Sequence, residues 1–148
     1  MDNIKFIKKT NSEFSLVQMI RTTVFTNEQG ANANEEFDSY DDIADFALLF
    51  DDNKAVATAR AVKTEDGFKI GRIAVLKEYR GKGYGDLIVR AVIEKAFNYG
   101  FDFVLVDSQD HAVPFYEKIG FKQIGQQIID RGIAHIPMRM ERTDYYGR

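Results

Sequence analysis

Ile70-Gly71-Arg72-Ile73-Ala74-Val75-Leu76 is followed by Arg80-Gly81-Lys82-Gly83-Tyr84-Gly85 and then by Asp86-Leu87-Ile88-Val89-Arg90-Ala91-Val92-Ile93-Glu94-Lys95-Ala96-Phe97. The rest of the chain is read from this stretch, Gly71 to Asn98. Its first part is apolar and β-favouring. Its last part carries apolar residues at helical spacing with no internal glycine or proline. The order is strand, glycine-rich turn, helix. Glycines at 81, 83 and 85 let the backbone turn tightly and leave its N–H groups uncovered. A helix beginning there adds unpaired amides and the positive end of its dipole. Such a turn suits an anion, most naturally phosphate oxygens, and Arg80 and Lys82 add two cations.

Spacing narrows the choice of loop. A Walker A loop needs Gly-x-x-x-x-Gly-Lys and then Ser or Thr, but Lys82 precedes Gly83, and Leu76 occupies the first glycine position. A dinucleotide fingerprint would require glycine at Asp86. What remains, Arg-x-x-Gly-x-Gly between a strand and a helix, resembles the acetyl-CoA pyrophosphate loop of the GNAT N-acetyltransferases. On the loop alone, a structural turn that binds nothing is the alternative.

The chain has 148 residues, which suits one domain able to bury about two-thirds of its unfolded surface. Apolar residues at 45% and charged residues at 29% are ordinary for a globular chain. No apolar run approaches the roughly 20 residues of a membrane span, and the N-terminus lacks a signal-peptide core. A membrane partner is therefore not expected. The absence of cysteine removes disulfides, thiolate zinc sites and a cysteine nucleophile, and fits a cytoplasmic location. With 23 acids against 20 bases the net charge is −3, which argues against a dedicated nucleic-acid binder. The acids Glu35, Glu36, Asp38, Asp41, Asp42, Asp45, Asp51 and Asp52 read as solvated loop charges. Attraction of a cationic amine is a second use for them.

Working outward, Ile4–Lys9 reads as a strand. Thr10 and Glu13 have capping-box spacing, opening a helix to about Phe25 with Phe14, Val17, Ile20 and Val24 inward. Gly30–Asp42 reads as a polar loop with one helical turn near Glu35. Ala44–Phe50 and Ala55–Lys63 are strands joined at Asp51–Lys54, and Thr64–Gly67 turns into a strand at Phe68–Leu76. The face carrying Ala55, Ala57, Ala59 and Ala61 calls for something bulky, a helix or a ligand. Phe101–Val106 reads as a strand buried on both faces. Asp110–Ile119 reads as a helix with Pro114 in its first turn, and Phe121–Ile129 with Ile133–Met140 as a closing hairpin. The tail, Glu141–Arg148, is expected to be mobile.

This order predicts a mixed sheet with helices on its faces, a mixed α/β (α+β) architecture. It is also the GNAT order along essentially the whole chain, 1–148, as a single domain. Phe115-Tyr116-Glu117-Lys118-Ile119-Gly120-Phe121 resembles the (F/L)YEKLGF segment of that family. Phe25, Glu28-Gln29-Gly30, Gln109 and His135-Ile136-Pro137-Met138 are similar to an ElaA/YjcF-like branch. The resemblance implies the GNAT acyl-CoA N-acyltransferase fold, with a central sheet of about six to seven strands flanked by about four helices.

The resemblance also implies a site and a reaction. Ile73, Ala74 and Val75 would splay from the neighbouring strand and pair with the pantetheine of acetyl-CoA like an added strand. Arg80, Gly81, Lys82, Gly83, Tyr84 and Gly85 would hold the pyrophosphate. Ser108, Gln109 and Phe115 would complete the cofactor side. Acetyl transfer would go directly to a primary amine of a small molecule, peptide or protein, with Tyr116 as general acid to the departing thiolate. Some relatives carry a glutamate base before the loop; this chain has Arg72 there. Glu28, His111 and His135 are the candidate bases, and Arg60 and Arg72 either favour an acidic acceptor or pair with local acids. His111 and His135, with no ligand spacing, give no metal site. A non-catalytic acyl-CoA sensor is the rival reading, and the chain is expected to act as monomer or homodimer.

Overall fold

The computed structural model describes residues 3–147. Met1, Asp2 and Arg148, included in the single-domain expectation and, for Arg148, in the tail, lie outside the described residues. The elements in order are β1 (Ile4–Ile7), α1 (Phe14–Arg21) running on as a π-helix at Thr22–Glu28, α2 (Ala33–Glu36) and a 3-10 turn at Ser39–Asp42. They continue with β2 (Asp45–Asp51), β3 (Lys54–Thr64), β4 (Gly67–Val75), α3 (Tyr84–Asn98), β5 (Phe103–Gln109), α4 (Val113–Ile119), β6 (Lys122–Gln123), β7 (Ile128–Asp130), β8 (Ile133–Glu141) and α5 (Arg142–Tyr146). The strands form one sheet in the order β1-β2-β3-β4-β5-β8-β6, with β7 also on β8. Every pairing is antiparallel except β4 with β5.

Among the described residues the mixed sheet expected from the sequence is present, with eight strands where the last hairpin arm counts as two. The extra strand arises because Phe121–Ile129 does not run as one piece. β8 carries Pro137 between the residues that pair with β6 and β7. Proline has no N–H to give the ladder, so the partner strand breaks into two short pieces.

The predicted capping box at Thr10 is not formed. Glu13 pairs with Lys5 of β1, and its N–H donates to Asn11 Oδ1 at 2.8 Å, so α1 starts at Phe14. Phe14, Val17, Ile20 and Val24 are all buried as the pattern requires. In the π-helical stretch Gln29 N–H reaches back five residues to the Val24 carbonyl at 3.1 Å. The wider turn buries Phe25 beside Val24 and carries Gln29 to the edge of a cleft.

Two cores face the sheet from opposite sides. Beneath α3 and α4 lie Ala57, Ala59, Ala61, Ile88, Val92, Val104, Val106, Tyr116, Met138 and Met140. Beneath α1 lie Phe14, Val17, Ile20, Phe46, Leu48, Val62 and Ala74. The alanine face is therefore the bed of helix α3. Ala55 is the exception: a β-bulge makes Val56 an extra residue and sends Ala55 to the α1 side.

β5 is not sealed on both faces. Val104, Val106 and Ser108 are buried, while Phe103, Leu105, Asp107 and Gln109 remain partly open. The tail is not extended either. α5 folds back, Tyr146 sits 5.6 Å from the Phe97 ring, and Tyr145 donates to Glu94 at 2.7 Å. Both tyrosines pack against Phe97, while about half of Tyr146 stays exposed. Among the described residues no helix is long and apolar enough to cross a membrane.

Candidate active site

The site begins where two strands part. β4 and β5 pair at Phe68↔Val104, Lys69↔Leu105 and Ile70↔Val106, and no further, although both strands continue. The cause lies in β4. Thr58 faces Ala74 and Arg60 faces Gly71, so Arg72 and Ile73 share one place opposite β3. Arg72 has φ +48°, a left-handed backbone rare outside glycine, and this bulge bends β4 away from β5. The gap opens into a cleft of about 830 Å³ lined by Ile73, Ala74 and Val75 along one wall.

At one end of the cleft stands the glycine turn. Gly81 and Gly83 have φ +81° and +82°, and open space lies where a Cβ would project. α3 carries no side-chain cap, and its first main-chain bond is Leu87 N–H to the Gly83 carbonyl at 3.1 Å. The N–H groups of Tyr84, Gly85 and Asp86 precede that bond and have no helical partner, and Tyr84 and Gly85 line the end of the cleft, an arrangement that suits an anion such as a diphosphate. Tyr84 itself donates to Asp51 at 2.7 Å.

Arg80 is already engaged. Its guanidinium makes a two-pronged bond to Glu28 at 2.6 and 2.8 Å, and its Nε donates to the Val75 carbonyl at 2.9 Å. The Arg80 bonds hold the Glu28 carboxyl below its ordinary range. Glu28 thus ties the π-helix to the loop and does not line the cleft. Lys82 lies over the Tyr79 ring at 5.4 Å and is also off the lining.

Tyr116, on α4, is buried to 6% exposure between Phe115 and Phe121, both edge-on to its ring at 5.0 and 5.6 Å. No described residue bonds its hydroxyl, which is not sealed in the interior but lines the cleft. Burial pushes its pKa up, so the phenol keeps its proton at any physiological pH.

The other predicted residues divide. Phe115, Gln109, His111, His135, Arg60 and Arg72 line the cleft. Gln109 donates to Gln29 at 2.8 Å. Ser108 does not line it; its side chain is buried on the core face of β5 and its hydroxyl donates to the Gln109 carbonyl at 2.8 Å. His111 is exposed at the 3-10 turn before α4.

The acids of the Gly30–Asp42 segment are not all solvated. Glu36 is fully buried and Asp41 is 2% exposed. Arg21 bonds both, at 3.0 Å to Glu36 and 2.8 Å to Asp41. Arg60 joins Asp38 and Asp41, Arg72 joins Glu36 and Asp38, and Arg131 joins Glu36. Arg60 and Arg72 are therefore bound to local acids. Crowding shows in Arg72, whose pKa falls to about 10 through burial and the neighbouring Arg60 and Arg131 charges. Burial opposes ionisation of Asp41, yet Arg21 and Arg60 outweigh it and hold the carboxyl low. Arg131 and Arg72 do the same for Asp130.

Sequence reasoning missed this network. Arg21 lies in a helix, Arg131 at a hairpin tip and Glu36 in a polar loop, and no spacing along the chain links them. Asp38, Tyr40, Asp130 and Arg131 also line the cleft and were not anticipated there.

The family model for the acetyltransferase (GNAT) domain matches residues 11–142. YjcF of Bacillus subtilis, an N-acetyltransferase by name, is 32% identical over 134 residues, 89% of this chain and 95% of YjcF. The crystal structure of Escherichia coli ElaA superposes with a TM-score of 0.84 at 25% identity, covering 95% of this chain and all of ElaA. An acyl-CoA N-acyltransferase from Pseudomonas aeruginosa has a TM-score of 0.82 at 23% identity, covering 93% and 98%, and supports the fold alone.

Proposed function

The chain belongs to the GNAT acetyltransferase family, and from that premise we propose that it moves an acetyl group from acetyl-CoA directly to a primary amine of a small molecule or peptide. The observation that carries this reading is the end of β4–β5 pairing at Ile70, with the unpartnered Tyr116 hydroxyl in the resulting cleft. Acetyl-CoA supplies an activated acyl group as a thioester.

The edge of Ile73 to Val75 beyond the paired residues, apart from the Val75 carbonyl that Arg80 already holds, offers backbone groups to the amides of the pantetheine arm, in the manner of an added strand. The amides of Tyr84, Gly85 and Asp86 face the diphosphate, and Arg80 contributes positive charge there. Phe115 supplies apolar wall beside the arm. Tyr116 keeps a proton available for the departing sulfur, a positioned transfer contributing roughly 10²–10⁴-fold. No step requires an acyl-enzyme, and the chain has no cysteine to form one by thiolate attack.

Calorimetric titration with acetyl-CoA tests the reading, on the wild type and on Gly83→Asp, which places a carboxylate in the open space at the loop. Micromolar binding that the substitution abolishes supports it and opens a screen of amines by CoA thiol release. A folded wild type that binds no acetyl-CoA overturns it.

A further inference from the structure

The acceptor amine must lose a proton before or as it attacks, and the site described so far contains an acid but no base. The faces of the sheet show where the base must stand. Tyr116 packs with Val104, Val106 and helix α3 on one side. Leu105, Asp107 and Gln109 point to the other, where Gln109 meets Gln29 at the end of the π-helix. In the antiparallel pairing of β5 with β8, His135 is opposite Gln109, and paired residues share a face. His135 therefore stands on the π-helix side of the parting strands, across the sheet from Tyr116.

The tautomer of the neutral His135 ring is set by its hydrogen bond. The residue is 4% exposed, and its Nδ1 lies 2.8 Å from the Ile133 carbonyl oxygen. A carbonyl oxygen only accepts, so Nδ1 carries the proton and Nε2 of the neutral ring carries the lone pair. No described residue bonds Nε2, and no polar side-chain atom among the described residues is both buried and unpartnered, so Nε2 opens to the cleft that His135 lines. This is a nine-tenths buried side chain with a free acceptor aimed into the cavity.

Of the other carboxylates on the cleft, Asp66 lies in the β3–β4 turn, at the far end of the paired residues from the gap beyond Ile70, and the rest are already engaged. Asp38 is bonded by Arg60 and Arg72, Asp107 by Lys69 at 2.6 Å, and Asp130 by Arg131 at 3.2 Å. A carboxylate held by guanidinium or ammonium is a weakened base. Glu28 is turned to Arg80, and exposed His111 has no partner fixing its ring. Among the charged groups that line the cleft, Asp130 is on β7 and Arg131 in the turn joined to β8, Asp107 is on the neighbouring β5, and Arg72 of β4 reaches Asp130 at 3.6 Å.

We propose that His135 is the general base, taking the proton of an alkylammonium acceptor on Nε2; this rests on the acetyltransferase reading above. The proton leaves nitrogen for Nε2, and the freed nitrogen lone pair forms the new C–N bond. The C–S bond breaks with its electron pair going to sulfur, which takes the Tyr116 proton. The new amide nitrogen gives up its surplus proton, which passes through solvent to the tyrosinate, and the imidazolium gives its proton to solvent, so one proton is released per turnover. Acid and base work from opposite faces, and the gap beyond Ile70 is where they meet.

Two histidines make the test direct. Nitrogen NMR of the ¹⁵N-labelled wild type, at a pH well above the ordinary imidazole range, reports the tautomer of each ring, with His135→Gln for assignment. The expected result is a protonated Nδ1 and a bare Nε2 in His135, with the Nε2 signal shifting when methylammonium is added. A proton on Nε2 overturns the proposal. In turnover, His135→Gln should lower kcat at least roughly 100-fold with an alkylamine acceptor while acetyl-CoA binding is unchanged, and the loss should shrink with a hydrazine already neutral at the assay pH. An equal loss with both acceptors overturns the role as base. The tautomer measurement needs no turnover, so absence of acetyl-CoA binding sinks the acetyltransferase reading while a misplaced ring proton sinks this one.

Discussion

Glu36 and Arg131 are 95 residues apart in sequence, yet Glu36 Oε1 accepts from Arg131 Nη1 at 2.7 Å. The same carboxylate takes Arg21 Nε at 3.0 Å and lies 3.1 Å from Arg72 Nε. One fully buried carboxylate thus gathers guanidinium groups from α1, β4 and the β7–β8 turn. The segment that brings Asp38 and Tyr40 to the cleft wall is located by charge, in a place where its small polar residues offer little apolar surface to pack.

Neutralising that carboxylate leaves three buried guanidinium groups without their common partner. Glu36→Gln is expected to cost about 3–5 kcal/mol, the usual penalty for breaking a buried pair by removing one side. Urea unfolding of the two proteins measures it. A change below about 1 kcal/mol would mean that Asp38, Asp41 and Asp130 satisfy the cluster without it.

Acid should loosen the same region. Asp41 and Asp130 have folded pKa values below the ordinary 3.8. The folded state therefore binds their protons more weakly than the unfolded chain. Their contribution to stability is complete above 3.8 and is lost as pH falls through the lower folded values. Stability measured against pH should fall below 3.8, and Asp41→Asn should flatten that fall while lowering stability throughout. An unflattened curve would assign the acid loss to other carboxylates.

Tyr116→Phe removes the hydroxyl and keeps the ring between Phe115 and Phe121. Turnover is expected to drop at least roughly tenfold with acetyl-CoA affinity unchanged. Steady-state kinetics with calorimetry separates the two, and unchanged turnover would remove Tyr116 from the chemistry.

Tyr145→Ala deletes a ring 5.9 Å from Phe97 and a hydrogen bond to Glu94. A loss of about 1–2 kcal/mol is expected from an aromatic pair plus one hydrogen bond. Chemical denaturation checks it, and no loss would return the tail to the mobile state that its polar composition suggests.

Sequence alone determined the parts of this protein set by local physics. The alternation of β3, the helical spacing after Gly85, the turns at Asp52-Asn53 and Arg131-Gly132, and the order of strands and helices all follow from dihedral preference and burial along a short stretch. The glycine loop was legible because its glycines act through their own backbone. Tertiary structure alone decided what depends on residues far apart in the chain. The break of β6 from β7 needed Pro137 to lie alongside. The loop acids became buried because Arg21, Arg72 and Arg131 reached them from three separate elements, and charge spacing along the chain carries no record of that meeting. His135 looked like one histidine on a strand; register with Gln109 gave it a face, and the Ile133 carbonyl gave it a tautomer. The reason is common to these cases: a side chain's local propensity is written in its neighbours, whereas its chemistry is set by whatever the fold brings within about 3 Å of it.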